Sequence, residues 1–152
     1  MPASQILLLY LFAYSRQIFD EYYKASYLPY FAAKPVLDNL SLCGKDRAQT
    51  EPVRLAQLMV PAISKVMLTQ IRLERKVAAL RVIEAMRIHA ANHGDQLPEQ
   101  LDQITEVPVP LDPSTNQAFQ YRREDGKAVL ESRIPGEPLA TAGLRYTISL
   151  RK

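Results

Sequence analysis

The sequence predicts an α+β fold: helices in the N-terminal part, one long central helix and a small antiparallel β-sheet at the C-terminal end. Three observations predict it. Apolar residues recur at helical spacing within residues 4–26 and again within residues 62–92. After Gly94 this period is lost, and short apolar runs separated by turn residues follow. Residues 144–150 alternate between apolar and polar side chains, as in a strand with one buried face.

The composition is that of a globular protein. Of 152 residues, 47% are hydrophobic and 23% are charged, which excludes a wholly disordered chain. The single cysteine, Cys43, excludes an intramolecular disulfide and has no Cys-x-x-Cys partner for a zinc or redox site. We interpret Cys43 as an inert buried or loop thiol.

The net charge of +3 is concentrated on one predicted helix. Residues 61–93 contain six basic and two acidic residues, whereas residues 94–152 contain seven basic and nine acidic ones. No nucleic-acid-binding motif accompanies this charge, so a nucleic-acid partner is not predicted. We predict two segments that together form one compact unit. Residues 1–60 are an aromatic-rich helical segment, and residues 61–152 are the long helix followed by the sheet.

The first element is a helix predicted over residues 4–26, with Pro29 after it. Its unbroken apolar run, residues 6–14, has nine residues. Roughly 20 are needed to span a bilayer, and the pattern of a signal peptide is not found either. So broad an apolar face requires burial by the protein's own core, by a protein partner or by another copy of the chain, with a membrane surface as the alternative. The predicted partner-contact residues are Leu8, Phe12, Phe19, Tyr22 and Tyr23.

The next residues, 32–60, are predicted as a short helix, a loop at residues 41–52 and the start of another helix. Thr50 suits the N-cap of that helix, and Pro61 interrupts it or begins a new one. One long helix is then predicted over residues 62–92, ending where Gly94 suits a left-handed cap. Its predicted apolar seam steps by three and four through Ile63, Val66, Gln70, Leu73, Val77 and Leu80. A second apolar line, broadening this face, consists of Ile71, Val82 and Met86.

Beyond Gly94 the sequence predicts a short turn-and-helix element over residues 97–104 and an extended segment over residues 107–113. Two strands follow, joined by a hairpin turn at Asp125 and Gly126, because Asp-Gly is a strong hairpin signal. The chain then closes with the alternating strand. Asp112, which precedes a proline, is interpreted as the first residue of a type I turn rather than as a general acid.

His89 and His93 are the two histidines of the chain, and their spacing places them on one face of the long helix, as in metal-binding pairs. A metal site needs a third ligand, and the nearby carboxylates in sequence are Glu84 and Asp95. We predict helix-end capping and surface exposure for both histidines, with no metal, no cofactor and no catalytic residue. Motifs for a nucleophile or a phosphate-binding loop are absent from the sequence.

Residues 77–132 carry an ordered set of features. The helix over residues 80–91 ends at Gly94 and is followed by a Leu-Pro pair, a Pro-x-Asp-Pro stretch, an aromatic-x-Tyr strand and a glycine hairpin. The matching positions after the helix are Leu97, Pro98, Leu101, Pro110, Asp112, Pro113, Phe119, Tyr121 and Gly126. This pattern resembles the C-terminal part of the type II secretion major pseudopilins. It is also similar to the tails of a group of uncharacterised bacterial proteins, whose likeness extends to residues 73–94 and to "RYTISL".

The resemblance implies a pseudopilin-like fold and a place in the cell envelope, but no activity. The membrane-spanning N-terminus of the pseudopilins is not matched, and their acidic calcium loop is replaced by a segment with one carboxylate, Glu137, so we expect no calcium site. Our leading hypothesis is a non-enzymatic structural or protein-interaction domain that forms a homo-oligomer or binds a protein partner through its N-terminal helix. The rival hypothesis is an enzyme or regulatory module with a metal or acid/base site around His89 and His93.

Overall fold

The computed structural model describes residues 2–46, 51–124, 126–138 and 143–149. The elements of this part of the chain confirm the α+β class, with helices followed by a three-stranded antiparallel sheet. In chain order they are α1 (Ala3–Ser26), α2 (Tyr30–Asp46), α3 (Glu51–Asn92), a 3-10 helix (Leu101–Gln103), β1 (Gln120–Glu124), β2 (Lys127–Arg133) and β3 (Gly143–Ile148).

The chain divides into two compact units, Met1–Gln70 and Ile71–Lys152. The division falls ten residues after the boundary that the sequence predicted between residues 60 and 61. It lies within α3, so this helix contributes residues to both units. The prediction that both segments form one compact unit stays a prediction.

In the first unit, α1 packs against α2 through a small core. Tyr22 and Ala25 of α1 meet Ala33 and Leu37 of α2, and all four side chains are buried. The alanines bring the two helices close, so that Tyr22 is enclosed despite its size. Pro29 separates the helices, and its carbonyl accepts the backbone N–H groups of the first turn of α2.

The loop predicted over residues 41–52 is wrong in its first half, because α2 continues to Asp46. That prediction relied on Gly44, but a single glycine costs a helix only about 1 kcal/mol, which neighbouring helical residues can offset. The helix predicted to begin after Thr50 does begin at Glu51, but it is not interrupted at Pro61 and continues into the helix predicted over residues 62–92 as one element, α3. Thr50 and the side chain of Cys43 lie outside the described residues.

The buried face of α3 differs from the predicted one. Leu73 and Leu80 of the predicted seam are 64% and 54% exposed, and Val66 and Val77 are exposed as well. The second apolar line is the buried one, and it is completed by four alanines, Ala78, Ala79, Ala85 and Ala90. Alanine adds little to a hydrophobic pattern because its side chain is small, yet the same small size lets a sheet approach the helix closely. A prediction based on the larger leucine and valine residues therefore chose the wrong face of α3 as the buried one.

The core of the second unit lies between this alanine-rich face and the sheet. Phe119 and Leu130 from the sheet region pack with Val82 and Met86 of α3, and Ile104 joins them from the connecting segment. The sheet order is β1-β2-β3, with β1–β2 and β2–β3 antiparallel. Its central strand β2 is the most buried, and the residues of β3 alternate between exposed and half-buried, as the sequence predicted.

The turn between β1 and β2 follows the predicted hairpin. Glu124 pairs with Lys127 at its base, and Gly126 has a φ of 74°, a left-handed conformation that glycine adopts without strain. Asp125, the other predicted turn residue, lies outside the described residues. None of the described helices is long and apolar enough to cross a membrane.

Candidate functional site

The second unit brings two histidines and one carboxylate together at the C-terminal end of α3. Nδ1 of His89 lies 3.2 Å from Oε1 of Glu106, and Nδ1 of His93 lies 3.4 Å from the same oxygen. The two imidazole rings stack, with centroids 4.0 Å apart and planes inclined by 17°. One nitrogen from each ring and one carboxylate oxygen fall within 4.8 Å of one another. We call these three residues the His–His–Glu cluster.

A different structural feature holds each member of the cluster in place. The helical spacing of four residues sets the two rings side by side. His93 is held by a hydrogen bond from its Nδ1 to the carbonyl of His89, 2.9 Å away. Glu106 arrives from the segment after the 3-10 helix, where buried Ile104 anchors the chain against α3. The backbone N–H of Thr105 donates to Oε2 of Glu106 over 3.0 Å, which fixes the carboxylate.

The end of α3 contributes to the electrostatics of the cluster. The backbone N–H of Asp95 donates to the carbonyl of Ala90, and Gly94 has a φ of 64°, which together close the helix in a Schellman motif. The cluster therefore sits at the negative end of the helix dipole, where a cation is stabilised. The backbone N–H of Glu106, and then the side chain of His89 and the N–H of Thr105, hold the pKa of the Glu106 carboxyl below its ordinary value although burial opposes them.

Sequence reasoning found two members of this cluster and missed the third. The prediction of surface exposure is wrong for His89, whose side chain is 10% exposed, whereas that of His93 is 54% exposed. The carboxylates considered from the sequence do not join it: Glu84 pairs with Arg87 on the helix surface, and Asp95 lies in the turn. Glu106 lies 13 residues beyond His93, and its only sequence signal is its position two residues after an apolar residue, Ile104, that packs on the same helix.

Asp112 occupies a second polar cluster in this unit. Its Oδ1 accepts hydrogen bonds from the backbone N–H and the hydroxyl of Ser114 at 2.8 and 2.7 Å, and its carbonyl accepts the N–H of Thr115 and of Asn116. The hydroxyl of Ser132 donates to Oδ2. Both carboxylate oxygens are engaged within the protein, so Asp112 organises a turn and is not set up as a general acid.

The second polar cluster also contains a buried cation, Arg75, that the sequence analysis did not identify. Nε of Arg75 lies 3.5 Å from Oδ1 of Asp112, and both side chains are 3% exposed. The Arg75 guanidinium also donates to the hydroxyl of Ser132 over 2.5 Å. Arg75 follows Ile71 by four residues on the alanine-rich face of α3, and this position on the buried face is the signal that could have revealed it.

The third candidate is the exposed start of α1. We call Ile6, Leu7, Leu8, Leu9, Tyr10 and Phe12 the apolar end of α1, and each of these side chains is more than half exposed. Among the predicted contact residues, Leu8, Phe12 and Tyr23 are exposed and Phe19 is half-buried. Tyr22 is corrected: at 1% exposure it belongs to the core between α1 and α2 and is not available to a partner.

Comparison with known proteins gives no match to this chain among protein-family models, curated proteins or solved structures. Its function therefore has to follow from the clusters and surfaces described above.

Proposed function

We propose that the protein is a non-enzymatic structural or protein-interaction domain, and that the apolar end of α1 is its contact surface. The observation that carries this proposal is the exposure of five consecutive residues, 6–10, at 56% to 64% each. Successive residues of an α-helix point about 100° apart, so five in a row surround the helix axis. Every side of this part of the helix is apolar and uncovered by the described part of the chain.

Such a surface is costly in water. Each of these side chains gains roughly 1.5–3 kcal/mol when it is fully buried instead of exposed. Residues 2–15 contain no charged side chain, and the first is Arg16. A helix that is apolar all round is a buried helix, so its environment in the working protein has to be supplied by something that encloses it.

Burial of this helix by other protein helices explains its sequence better than binding to a membrane surface does. A helix that lies on a membrane keeps one strongly polar, basic face in water, and residues 6–14 have none. Helices from other copies of the chain can cover all sides, as in a helical bundle. The resemblance of residues 77–132 to pseudopilins is a further argument for a subunit of a cell-envelope or larger assembly, with the pseudopilin-like arrangement of one long central helix and a sheet.

The second candidate function is an enzyme or regulatory module with a metal or acid/base site around His89 and His93. Glu106 favours it, because it adds the third group that the sequence did not identify. The interaction function ranks first, since the apolar end of α1 needs a partner whatever the cluster does.

The mass of the protein in solution tests the proposal. We expect the parent to sediment as an oligomer at micromolar concentration, and the double substitution Leu8→Glu/Phe12→Glu to sediment as a monomer with an unchanged helix content. Leu111→Glu is the matched control, since Leu111 is also exposed, at 49%, but lies in the other unit. It should keep the oligomer. A monomeric parent that co-sediments with phosphatidylglycerol vesicles through the same residues would refute protein enclosure in favour of a membrane surface.

A further inference from the structure

We propose that His89, His93 and Glu106 bind one divalent first-row transition-metal ion, Zn²⁺ being the ion best suited to the site. This proposal goes beyond the interaction function and does not depend on it, because the cluster lies in the second unit and the apolar end of α1 lies in the first. It rests on the spacing of the three donor groups, on a buried carboxylate oxygen that accepts no hydrogen bond, and on the position of the cluster at the end of a helix.

The spacing of the donors fits a tetrahedral ion. Zinc bonds to histidine nitrogen and carboxylate oxygen are about 2.0–2.2 Å long, so two ligands of a tetrahedral zinc ion lie about 3.3–3.6 Å apart. The two nitrogens of the cluster lie 3.2 and 3.4 Å from Oε1 of Glu106. To share an ion, the two rings have to turn out of their stacked arrangement, because the lone pair of each Nδ1 lies in the plane of its own ring.

One oxygen of the Glu106 carboxylate, Oε1, faces the nitrogens of both imidazole rings. Oε1 is shielded from solvent and accepts no hydrogen bond in the described part of the chain, although the two imidazole nitrogens are close to it. Oε2 accepts the backbone N–H of Thr105, and Nδ1 of His89 lies 3.4 Å from it. A buried carboxylate oxygen without a donor is costly, and a bound cation removes that cost. A hydrogen bond such as that from Thr105, to the carboxylate oxygen that does not bind the ion, orients the carboxylates of metal sites.

The surroundings of the two rings favour a single shared cation. The two rings lie side by side, with centroids 4.0 Å apart, at the negative end of the helix dipole of α3, where a cation is stabilised. An ion at Nδ1 of His93 replaces the hydrogen bond from this nitrogen to the carbonyl of His89, and the neutral ring then carries its proton on Nε2.

The donor types determine the class of ion. Imidazole nitrogen suits zinc, cobalt, nickel and copper, whereas calcium and magnesium prefer sites built from oxygen ligands. Three protein ligands leave the fourth tetrahedral position to water or to a ligand, as in zinc sites that remain open. Partial exposure of His93 gives the ion a path from solvent.

Metal titration of the untagged full chain tests the proposal. The background is Cys43→Ser, which removes the one thiol as a competing zinc ligand. We expect isothermal titration to give one Zn²⁺ per chain, and Co²⁺ to give the visible absorption of a tetrahedral ion at the same stoichiometry. Glu106→Gln and His93→Gln should each weaken binding by more than about tenfold, since even changes behind a metal ligand cost 10–100-fold.

Matched variants separate the site from general metal binding. Glu99→Gln removes an exposed carboxylate outside the cluster and should leave Zn²⁺ affinity unchanged. Thermal melts of each variant show that the fold is intact, and His93→Gln is the safer variant because its side chain is half exposed. Failure of the folded parent to bind Zn²⁺ or Co²⁺ at one ion per chain would overturn the proposal. Equal Zn²⁺ affinity in Glu106→Gln and Glu99→Gln would also overturn it, because the cluster would then be a hydrogen-bonded ion pair and not a metal site.

Discussion

Arg75 and Asp112 form an ion pair inside the second unit, with Nε and Oδ1 3.5 Å apart and both side chains 3% exposed. The pair joins the middle of α3 to the turn that leads to β1, across 37 residues of sequence. Ser132 of β2 completes it, because its hydroxyl accepts from Arg75 and donates to Asp112. One polar cluster thereby connects a helix, a turn and a strand.

Breaking this pair should destabilise the protein more than the loss of a turn residue would. The loss of a side-chain cap on its own costs about 0.5–2 kcal/mol, the range expected for Asp112 from sequence. Asp112→Ala also removes the carboxylate beside the buried guanidinium of Arg75, and breaking a buried ion pair costs about 3–5 kcal/mol. We expect the larger loss in the free energy of unfolding, measured by urea denaturation.

Two further variants complete that experiment. Asp102→Ala removes an exposed aspartate and should change stability by less than about 0.5 kcal/mol. Arg75→Met combined with Asp112→Asn should recover part of the loss, because neither member then carries a buried charge. A loss of 2 kcal/mol or less for Asp112→Ala, in the turn-residue range of about 0.5–2 kcal/mol, would show that the contact with Arg75 contributes nothing.

The buried face of α3 can be tested with two residues of the same helix. Met86 is fully buried, and Met86→Ala should lower the free energy of unfolding by about 2–5 kcal/mol. Leu73 is 64% exposed, and Leu73→Ala should change it by less than about 0.5 kcal/mol. Similar losses in the free energy of unfolding at the two positions would contradict this assignment and support the buried face that the sequence predicted.

Tyr121 should contribute a pH-dependent part of the stability. Its hydroxyl donates to the carbonyl of Pro98 over 2.5 Å, and burial raises its pKa above the ordinary 10.0, although the charge of Arg123 opposes that rise. Because the folded pKa is raised, the contribution of the neutral phenol is complete below pH 10 and is lost as the pH rises through the folded pKa.

Tyr121→Phe tests this contribution. It should cost about 0.5–1.5 kcal/mol near pH 7, the usual worth of one hydrogen bond, and the difference from the parent should shrink above pH 10. Tyr27→Phe is the control, since Tyr27 is 86% exposed and should alter neither stability nor its pH dependence. A constant difference between parent and Tyr121→Phe from pH 7 to pH 11 would contradict the shift.

Two deletions separate the core role of α1 from its contact role. Removing residues 1–14 takes away the apolar end of α1 and keeps Tyr22 and Ala25 in the core, so it should dissociate the oligomer while the melting temperature of the monomer persists. Removing residues 1–31 also takes both core residues and should give a partly unfolded or aggregating product. A 1–31 deletion that keeps its melting temperature and its assembly state would show that α1 is an appendage.

Local pattern was sufficient for much of the fold. The limits of α1 and the alternation of β3 follow from the spacing of apolar residues, and Gly94 and Gly126 mark turns because both adopt left-handed backbone conformations. The prediction of a loop at residues 41–46 and the predicted buried face of α3 were wrong. The first gave too much weight to one glycine, and the second gave too little weight to the alanines. Side-chain size says how much area a residue can bury, and only packing shows which face is buried.

The sequence by itself determined the class of fold, the pair of histidines on one helix face and the apolar start of α1, because periodicity is a local property of the chain. The tertiary structure alone decided which distant groups meet. It placed Glu106 beside His89 and His93, and Asp112 beside Arg75, across separations of 13 to 37 residues. It also divided α1 into a buried end at Tyr22 and an exposed end at Leu8, because α2 covers only the last turns of that helix.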